Sequence, residues 1–198
     1  MDSQFNTIID SYLDSRVGID KAFISKELSA GLKANILKLH ARGLMKDAVT
    51  GNSAMRDPEH KTRTDQIYWL DKTHPNSFEQ DFLDQAESFI EYLNRTCYTG
   101  IKSYEFHYAI YGKGSFYNRH IDQFKTDNKR KFSLVNYLND DWLDTDGGEL
   151  MVYPDDEDSR KISPCSQTAV FFKSDEMEHE VLMAGRMRMS VTGWLKTV

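Results

Sequence analysis

The sequence is poor in the residues that mark several large classes of protein. Two cysteines, Cys97 and Cys165, occur in 198 residues. They are too few and too far apart for a disulfide framework, so both read as reduced thiols. The Asn94-Arg95-Thr96 sequon then carries no weight, because glycosylation needs a secreted context. The four prolines are scattered, and no low-complexity linker or internal repeat divides the chain. No apolar run is long enough to cross a bilayer. The opening residues carry Asp2, Asp10 and Asp14 in place of an apolar block, so neither a leader nor a membrane span is expected and the chain is expected in the cytoplasm. Positive charge is also in deficit: 25 Lys and Arg against 31 Asp and Glu leave a net −6. No general basic field invites a nucleic-acid backbone, and no nucleic-acid partner is expected.

What is present suits one domain spanning 1–198. Up to Gly100 the apolar period is helical. Phe5, Ile8, Ile9, Tyr12 and Leu13 form one stripe; Leu28, Leu32, Ile36 and Leu39 form a second behind Ser25, an N-cap residue, with Gly43 closing that helix. A third helix is expected from near Ser77, burying Phe78, Phe82, Ala86, Phe89, Ile90 and Leu93 and ending ahead of Gly100. Asn52 to Thr64, polar and holding Pro58, reads as a long exposed loop of the kind that often carries function. Asp65 to Leu70 then reads as a strand.

Beyond Gly100 the period drops to two. Tyr104–Tyr111, Phe116–Asp122, Phe132–Leu138, Glu149–Tyr153, Thr168–Phe172, His179–Met183 and Met187–Leu195 read as short strands separated by Gly, Asn, Asp and Pro turns. The fold class is therefore α+β, with 1–100 as mainly helical support plus the exposed loop and 101–198 as a sandwich or barrel. A jelly roll would bring distant strands to one pocket. Two acidic clusters, Asp140 to Asp146 and Asp155 to Asp158, fall at turns. Asp144 to Gly147 loosely matches a calcium loop, but Trp142 stands where an earlier oxygen ligand is needed, so a solvated turn is the better reading.

The chemistry centres on His120 and Asp122. In an extended strand, side chains two residues apart share a face, so an imidazole and a carboxylate converge on one point. His179, at the start of another apolar strand, can supply a second nitrogen. Two His and one carboxylate on one face leave three octahedral positions open, the facial triad of non-haem Fe(II) oxygenases. The His-x-Asp pair alone is weak, since six His among 31 acidic residues give about one such pair by chance. A second feature is a pair of arginines at the start of the last apolar strand. Arg186 and Arg188 fall on the same strand face, and periodicity does not choose between them.

From Arg63 to Trp194 the chain resembles the prolyl 4-hydroxylases of the 2-oxoglutarate and Fe(II) oxygenase superfamily, in particular the hypoxia-inducible-factor type and its bacterial single-domain relatives. Several motifs carry the resemblance in order. His120 and Asp122 match the HxD pair, and His179, opening His179-Glu180-Val181, matches the distal His. Arg188, nine residues beyond it and six before Trp194, matches the Arg that holds the far carboxylate of 2-oxoglutarate. Tyr137, in Asn136-Tyr137-Leu138-Asn139, matches the Tyr that shares that carboxylate. Gly147 and Gly148 precede Leu150, which would line the co-substrate pocket with Tyr111. On the substrate side, Arg63, Thr64 and Asp65 ahead of Ile67 and Trp69 are similar to the family's RxDxIxW run. Arg130, Tyr117 and Trp194 match substrate-region positions, and the loop Gln123 to Lys131 adds Lys125, Lys129 and Lys131.

The resemblance implies a double-stranded β-helix fold, Fe(II), 2-oxoglutarate and O2, with ascorbate as an expected helper. It also implies a partner protein carrying the target proline, which gains a hydroxyl at C4 while succinate and CO2 leave. No catalytic residue beyond the metal ligands is implied. Other readings stay open from sequence: the same core acting on another peptide side chain or a free amino acid, or a metal- and 2-oxoglutarate-binding sensor without turnover.

Overall fold

The computed structural model describes residues 2–48, 62–123, 129–155 and 158–198. The expected loop Asn52 to Thr64 falls largely outside the described residues, as does Lys125. A 3-10 turn, Asp2–Phe5, leads into α1 (Asn6–Ser15), which ends on Arg16 in the left-handed region at φ 61°. α2 (Lys26–Ala41) is capped as the sequence suggests, with the Ser25 hydroxyl accepting from the Leu28 N–H at 3.0 Å. α3 (Ser77–Cys97) is capped by Asn76, whose side chain accepts from the Glu79 N–H. The three helices pack their stripes, including Ile8, Leu32, Ile36, Phe82 and Phe89, against one face of a large sheet.

Eleven strands are formed by the described residues: β1 (Gly18–Asp20), β2 (Lys46–Asp47), β3 (Gln66–Trp69), β4 (Ser103–Tyr111), β5 (Tyr117–His120), β6 (Arg130–Tyr137), β7 (Leu150–Asp155), β8 (Asp158–Ile162), β9 (Ala169–Lys173), β10 (Glu178–Val181) and β11 (Arg188–Lys196). They make a seven-stranded sheet in the order β1-β9-β6-β11-β4-β3-β2 and a four-stranded sheet in the order β5-β10-β7-β8, with all pairings antiparallel. This is the α+β jelly roll expected from the sequence.

The central strands of the large sheet are covered on both faces, which is why they are apolar almost throughout. Phe106, Tyr108 and Ile110 of β4, and Met189, Val191 and Leu195 of β11, face the helices. The alternate residues face the gap between the sheets, where Ala109, Tyr111, Val135, Tyr137, Leu150, Val152, Phe172 and Val181 form a second core. The polar members of that inward set build the site.

Three strands escape the sequence reading. β1 and β2 are two or three residues long at the sheet edges and show no alternation. β8 holds Ser159, Arg160 and Lys161 along an edge, a polar makeup that resists further pairing but hides the strand. The acidic segment Asp144–Asp146 is a 3-10 turn in which Asp146 accepts from the Leu143 N–H at 2.9 Å and pairs with Arg186 at 2.8 Å. Its carboxylate is thus used locally, as the solvated-turn reading requires.

Candidate metal centre and co-substrate cleft

β5 and β10 are neighbours with His120 directly opposite His179. The two rings lie 4.2 Å apart between centroids. One expectation needs correcting: the strand does not run on to Asp122. β5 ends at His120, and Asp122 lies in a bend beyond it, so strand alternation is not what turns its carboxylate inward. Two contacts from elsewhere do so. Arg130 Nη1 donates to the Asp122 carbonyl at 3.1 Å, and the Ser133 hydroxyl on β6 donates to Asp122 Oδ2 at 2.7 Å.

The carboxylate then reaches both imidazoles, Oδ1 at 3.5 Å from His120 Nε2 and Oδ2 at 3.6 Å from His179 Nε2. One ligand atom from each of the three residues lies within 4.8 Å of the others, the one such group among the described residues.

The donor set fits a divalent metal. His120 Nδ1 lies 2.7 Å from the Asn118 carbonyl and His179 Nδ1 3.0 Å from the Met177 carbonyl. A carbonyl only accepts, so each Nδ1 carries a hydrogen and Nε2 is the nitrogen turned toward a metal. Burial lowers the affinity of His179 for a proton and keeps it neutral. Burial alone would raise the Asp122 pKa, but the facing His179 and His120 rings and the Ser133 hydroxyl outweigh it and hold the carboxyl well below the usual carboxylate range. Two neutral nitrogens and one anionic oxygen are the ligands of a facial triad.

Behind the triad a cleft runs between the sheets. Arg188 closes one end. Its side chain is 1% exposed, its Nε donates to the Gly148 carbonyl at 2.8 Å, and its guanidinium lies 4.9 and 5.0 Å from the rings of Tyr111 and Tyr137. No carboxylate among the described residues pairs with it. Gly148, at φ +67°, lets the chain pass this close: a Cβ there would stand 3.2 Å from Arg188 Cδ. The other candidate cation, Arg186, turns away and binds Asp146 and the carbonyls of Asp140 and Asp141. Tyr137 sits behind Arg188, its hydroxyl fully buried and without a partner. A carboxylate at this end would satisfy both groups, so the cleft fits a dicarboxylate that also reaches the triad. Tyr111 and Leu150 line its wall.

The mouth holds the remaining candidates. Asp65, 1% exposed, takes two hydrogen bonds from Arg63, at 2.7 and 2.6 Å, and the Arg63 guanidinium lies 4.2 Å from the Tyr117 ring. Tyr117 in turn stacks on His120 at 3.6 Å. Arg130 lies 3.4 Å from the Trp194 ring and donates to Glu105 Oε1 from both Nε and Nη2. It is therefore bound within the protein. Polar residues not singled out from sequence are His107 and Thr192, which line the cleft, and Ser133, which holds Asp122. Strand period could have found the first two, since His107 shares a face with Tyr111 on β4, and Thr192 with Arg188 on β11.

Comparison with known proteins adds sequence-wide likeness. The family model described as the 2OG-Fe(II) oxygenase superfamily matches residues 106–196. A hypoxia-inducible factor prolyl hydroxylase of Caenorhabditis elegans is 28% identical over 94% of this chain, which spans only 26% of that protein. The crystal structure of a Pseudomonas putida prolyl-4-hydroxylase is 30% identical, with a TM-score of 0.86 over 96% of this chain and 97% of that one. A Trichoplax adhaerens prolyl hydroxylase, solved with a hypoxia-inducible-factor oxygen degradation domain peptide, is 25% identical, with a TM-score of 0.88 over 99% of this chain and 90% of that one.

Proposed function

This chain belongs to the prolyl 4-hydroxylase family of the 2-oxoglutarate- and Fe(II)-dependent oxygenases, and we propose that it hydroxylates C4 of a prolyl residue in a partner protein. In that reaction 2-oxoglutarate, O2 and the prolyl residue give succinate, CO2 and the hydroxyprolyl residue. The observation that carries this reading is Arg188, a buried guanidinium with no carboxylate of the described residues beside it, at the end of a cleft that opens on His120, Asp122 and His179. Leaving a charge buried and unpaired costs several kcal/mol. A bound dicarboxylate removes that cost.

In this reading His120, Asp122 and His179 hold Fe(II), and Arg188 with Tyr137 grips the far carboxylate of 2-oxoglutarate, a guanidinium being able to do so in two places. Tyr111 and Leu150 wall the co-substrate. Arg63, Asp65, Tyr117, Arg130 and Trp194 shape the mouth that the prolyl peptide enters. Iron and 2-oxoglutarate would together activate O2, which supplies the oxidising power; the chain orients the reactants and keeps water out. Ascorbate would keep the iron reduced between turnovers. The whole chain acts as one catalytic unit on a cytoplasmic protein, and its excess of acidic residues favours that over a nucleic-acid substrate.

The test is mass spectrometry of a host lysate incubated with Fe(II), ascorbate and 2-oxoglutarate plus either this protein or its His179→Ala variant. A proline that gains one oxygen only with the intact triad supports the reading and names the partner. Succinate without any modified proline would keep the oxygenase and overturn the prolyl substrate. Neither product, with metal and 2-oxoglutarate both bound, would leave a sensor in its place.

A further inference from the structure

Five buried side-chain atoms of the described residues have no hydrogen-bond partner: Tyr137 Oη, both amide atoms of Asn136, His107 Nδ1 and Trp194 Nε1. A co-substrate carboxylate answers for Tyr137. Asn136 shares a strand face with Leu134 and Leu138, toward the helices and away from the cleft. His107 and Trp194 remain, and both line the cleft. His107 is 3% exposed and packs beside two indoles, its ring 5.0 Å from Trp69 and 5.3 Å from Trp194, which lie 6.4 Å from each other. It is directly opposite Thr192 on β11, four residues beyond Arg188. The two orphan groups are thus displaced along the strand from the co-substrate's carboxylate end, on the side toward Trp194 and the mouth.

We propose that His107 and the Trp194 indole N–H form a second polar subsite that receives the main-chain carbonyl of the target proline. This deepens the prolyl-peptide reading and rests on it. Burial, reinforced by the nearby Arg63 guanidinium, pushes the His107 pKa down to about 4. The imidazole is therefore neutral at pH 7 and offers one N–H and one lone pair, while the indole offers an N–H only. A prolyl residue inside a peptide has a carbonyl to accept and no N–H to place. Donors suit it.

The experiment uses the full chain loaded with Zn(II) and 2-oxoglutarate, which binds without turning over. The ligands are two pools of blocked pentapeptides with randomised flanks, one centred on proline and one on alanine. The chain has three tryptophans, so a proton–nitrogen spectrum shows three indole N–H signals, and Trp194→Phe identifies the one that matters. The subsite predicts that the proline pool moves the Trp194 signal, and that the alanine pool, which carries the same carbonyl, moves it only as far as it binds. It also predicts that His107→Leu weakens proline-pool binding by about three- to tenfold, the worth of one neutral hydrogen bond. His107→Gln should recover part of that loss, and 2-oxoglutarate affinity measured alone should stay unchanged in both variants. If the pool binds while the Trp194 signal stays still, or if His107→Leu and Trp194→Phe bind it as tightly as the parent, the subsite is wrong and the prolyl reading stands. If the loaded protein binds no proline peptide at all, the prolyl reading falls and takes the subsite with it.

Discussion

Ser133 donates its hydroxyl to Asp122 Oδ2 at 2.7 Å while lying 2.9 Å from the Ser174 hydroxyl, so the carboxylate of the candidate metal centre, outside any strand, is held by a side chain from an inner strand of the large sheet. Because β5 ends at His120, this contact and the one from Arg130 do the aiming that strand geometry would otherwise do.

Ser133→Ala should therefore weaken divalent-metal binding by about 10- to 100-fold, the usual worth of a partner behind a metal ligand, with little change in the folded spectrum. Calorimetric titration with Mn(II) in the absence of O2 measures it. His179→Ala, which removes a ligand outright, should abolish binding in the same assay. Unchanged affinity in Ser133→Ala would mean that Arg130 alone orients the carboxylate.

Arg188 makes an opposing pair of predictions. Without co-substrate its charge is buried and unpaired, so Arg188→Met should leave the thermal midpoint of the ligand-free protein equal or higher. With 2-oxoglutarate and Mn(II), the parent should gain stability as the ligand exceeds its dissociation constant, and the variant should gain none from 2-oxoglutarate. Gly148→Ala should lose most of the gain as well, since its Cβ would meet Arg188 Cδ, Ala184 Cβ and Trp142 Cζ2 at 3.2–3.3 Å and its φ is +67°. Thermal scans with and without 2-oxoglutarate decide both.

The buried Arg63–Asp65 pair, with side chains 14% and 0% exposed, should be intolerant of losing one member. Asp65→Ala leaves a guanidinium largely buried beside the Tyr117 ring and should cost about 3 kcal/mol or more of stability. Chemical denaturation reads this directly. A cost below 1 kcal/mol would mean that the guanidinium escapes to solvent.

His107 gives a pH dependence whose sign is fixed. Its pKa in the fold is about 4 against an ordinary 6.5, lowered by burial and by Arg63 and Arg130 against the raising effect of Asp65 and Asp122. Between those values the unfolded chain binds a proton that the folded chain refuses, so stability is complete above pH 6.5 and falls as pH drops toward 4. The metal-free protein should lose up to about 3 kcal/mol from this group. His107→Leu should lose correspondingly less over the same range, and comparing the two isolates His107 from the other histidines.

Much of this was legible in the sequence because period and spacing report what a strand face or helix stripe must bury. The three helices, the switch to strands after Gly100 and the inward faces of His120 and His179 follow from that alone, whereas Arg188 is chosen over Arg186 only by its match to the family spacing. What was hidden depends on contacts between distant segments. β8 looks like a solvated run because an edge strand need not be apolar. Arg186 and Arg188 share a parity, and only the turn at Asp146, which captures Arg186, separates them. Asp122 was placed correctly beside His120 for the wrong reason, since the force that turns it inward comes from Ser133 and Arg130, eleven and eight residues away. His107 was overlooked although its strand face was marked by Tyr111, because a lone His among apolar residues is more often a packed core residue than a ligand-binding one.

The most direct test of the central claim follows the oxygen. A proline-bearing substrate protein, Fe(II) and 2-oxoglutarate are incubated with this chain under isotopically heavy O2, and the products are weighed. The account predicts one heavy oxygen in the hydroxyproline, one in succinate, and neither product with His179→Ala. Hydroxyproline carrying oxygen from water, or succinate formed at full rate by Arg188→Met, would contradict it.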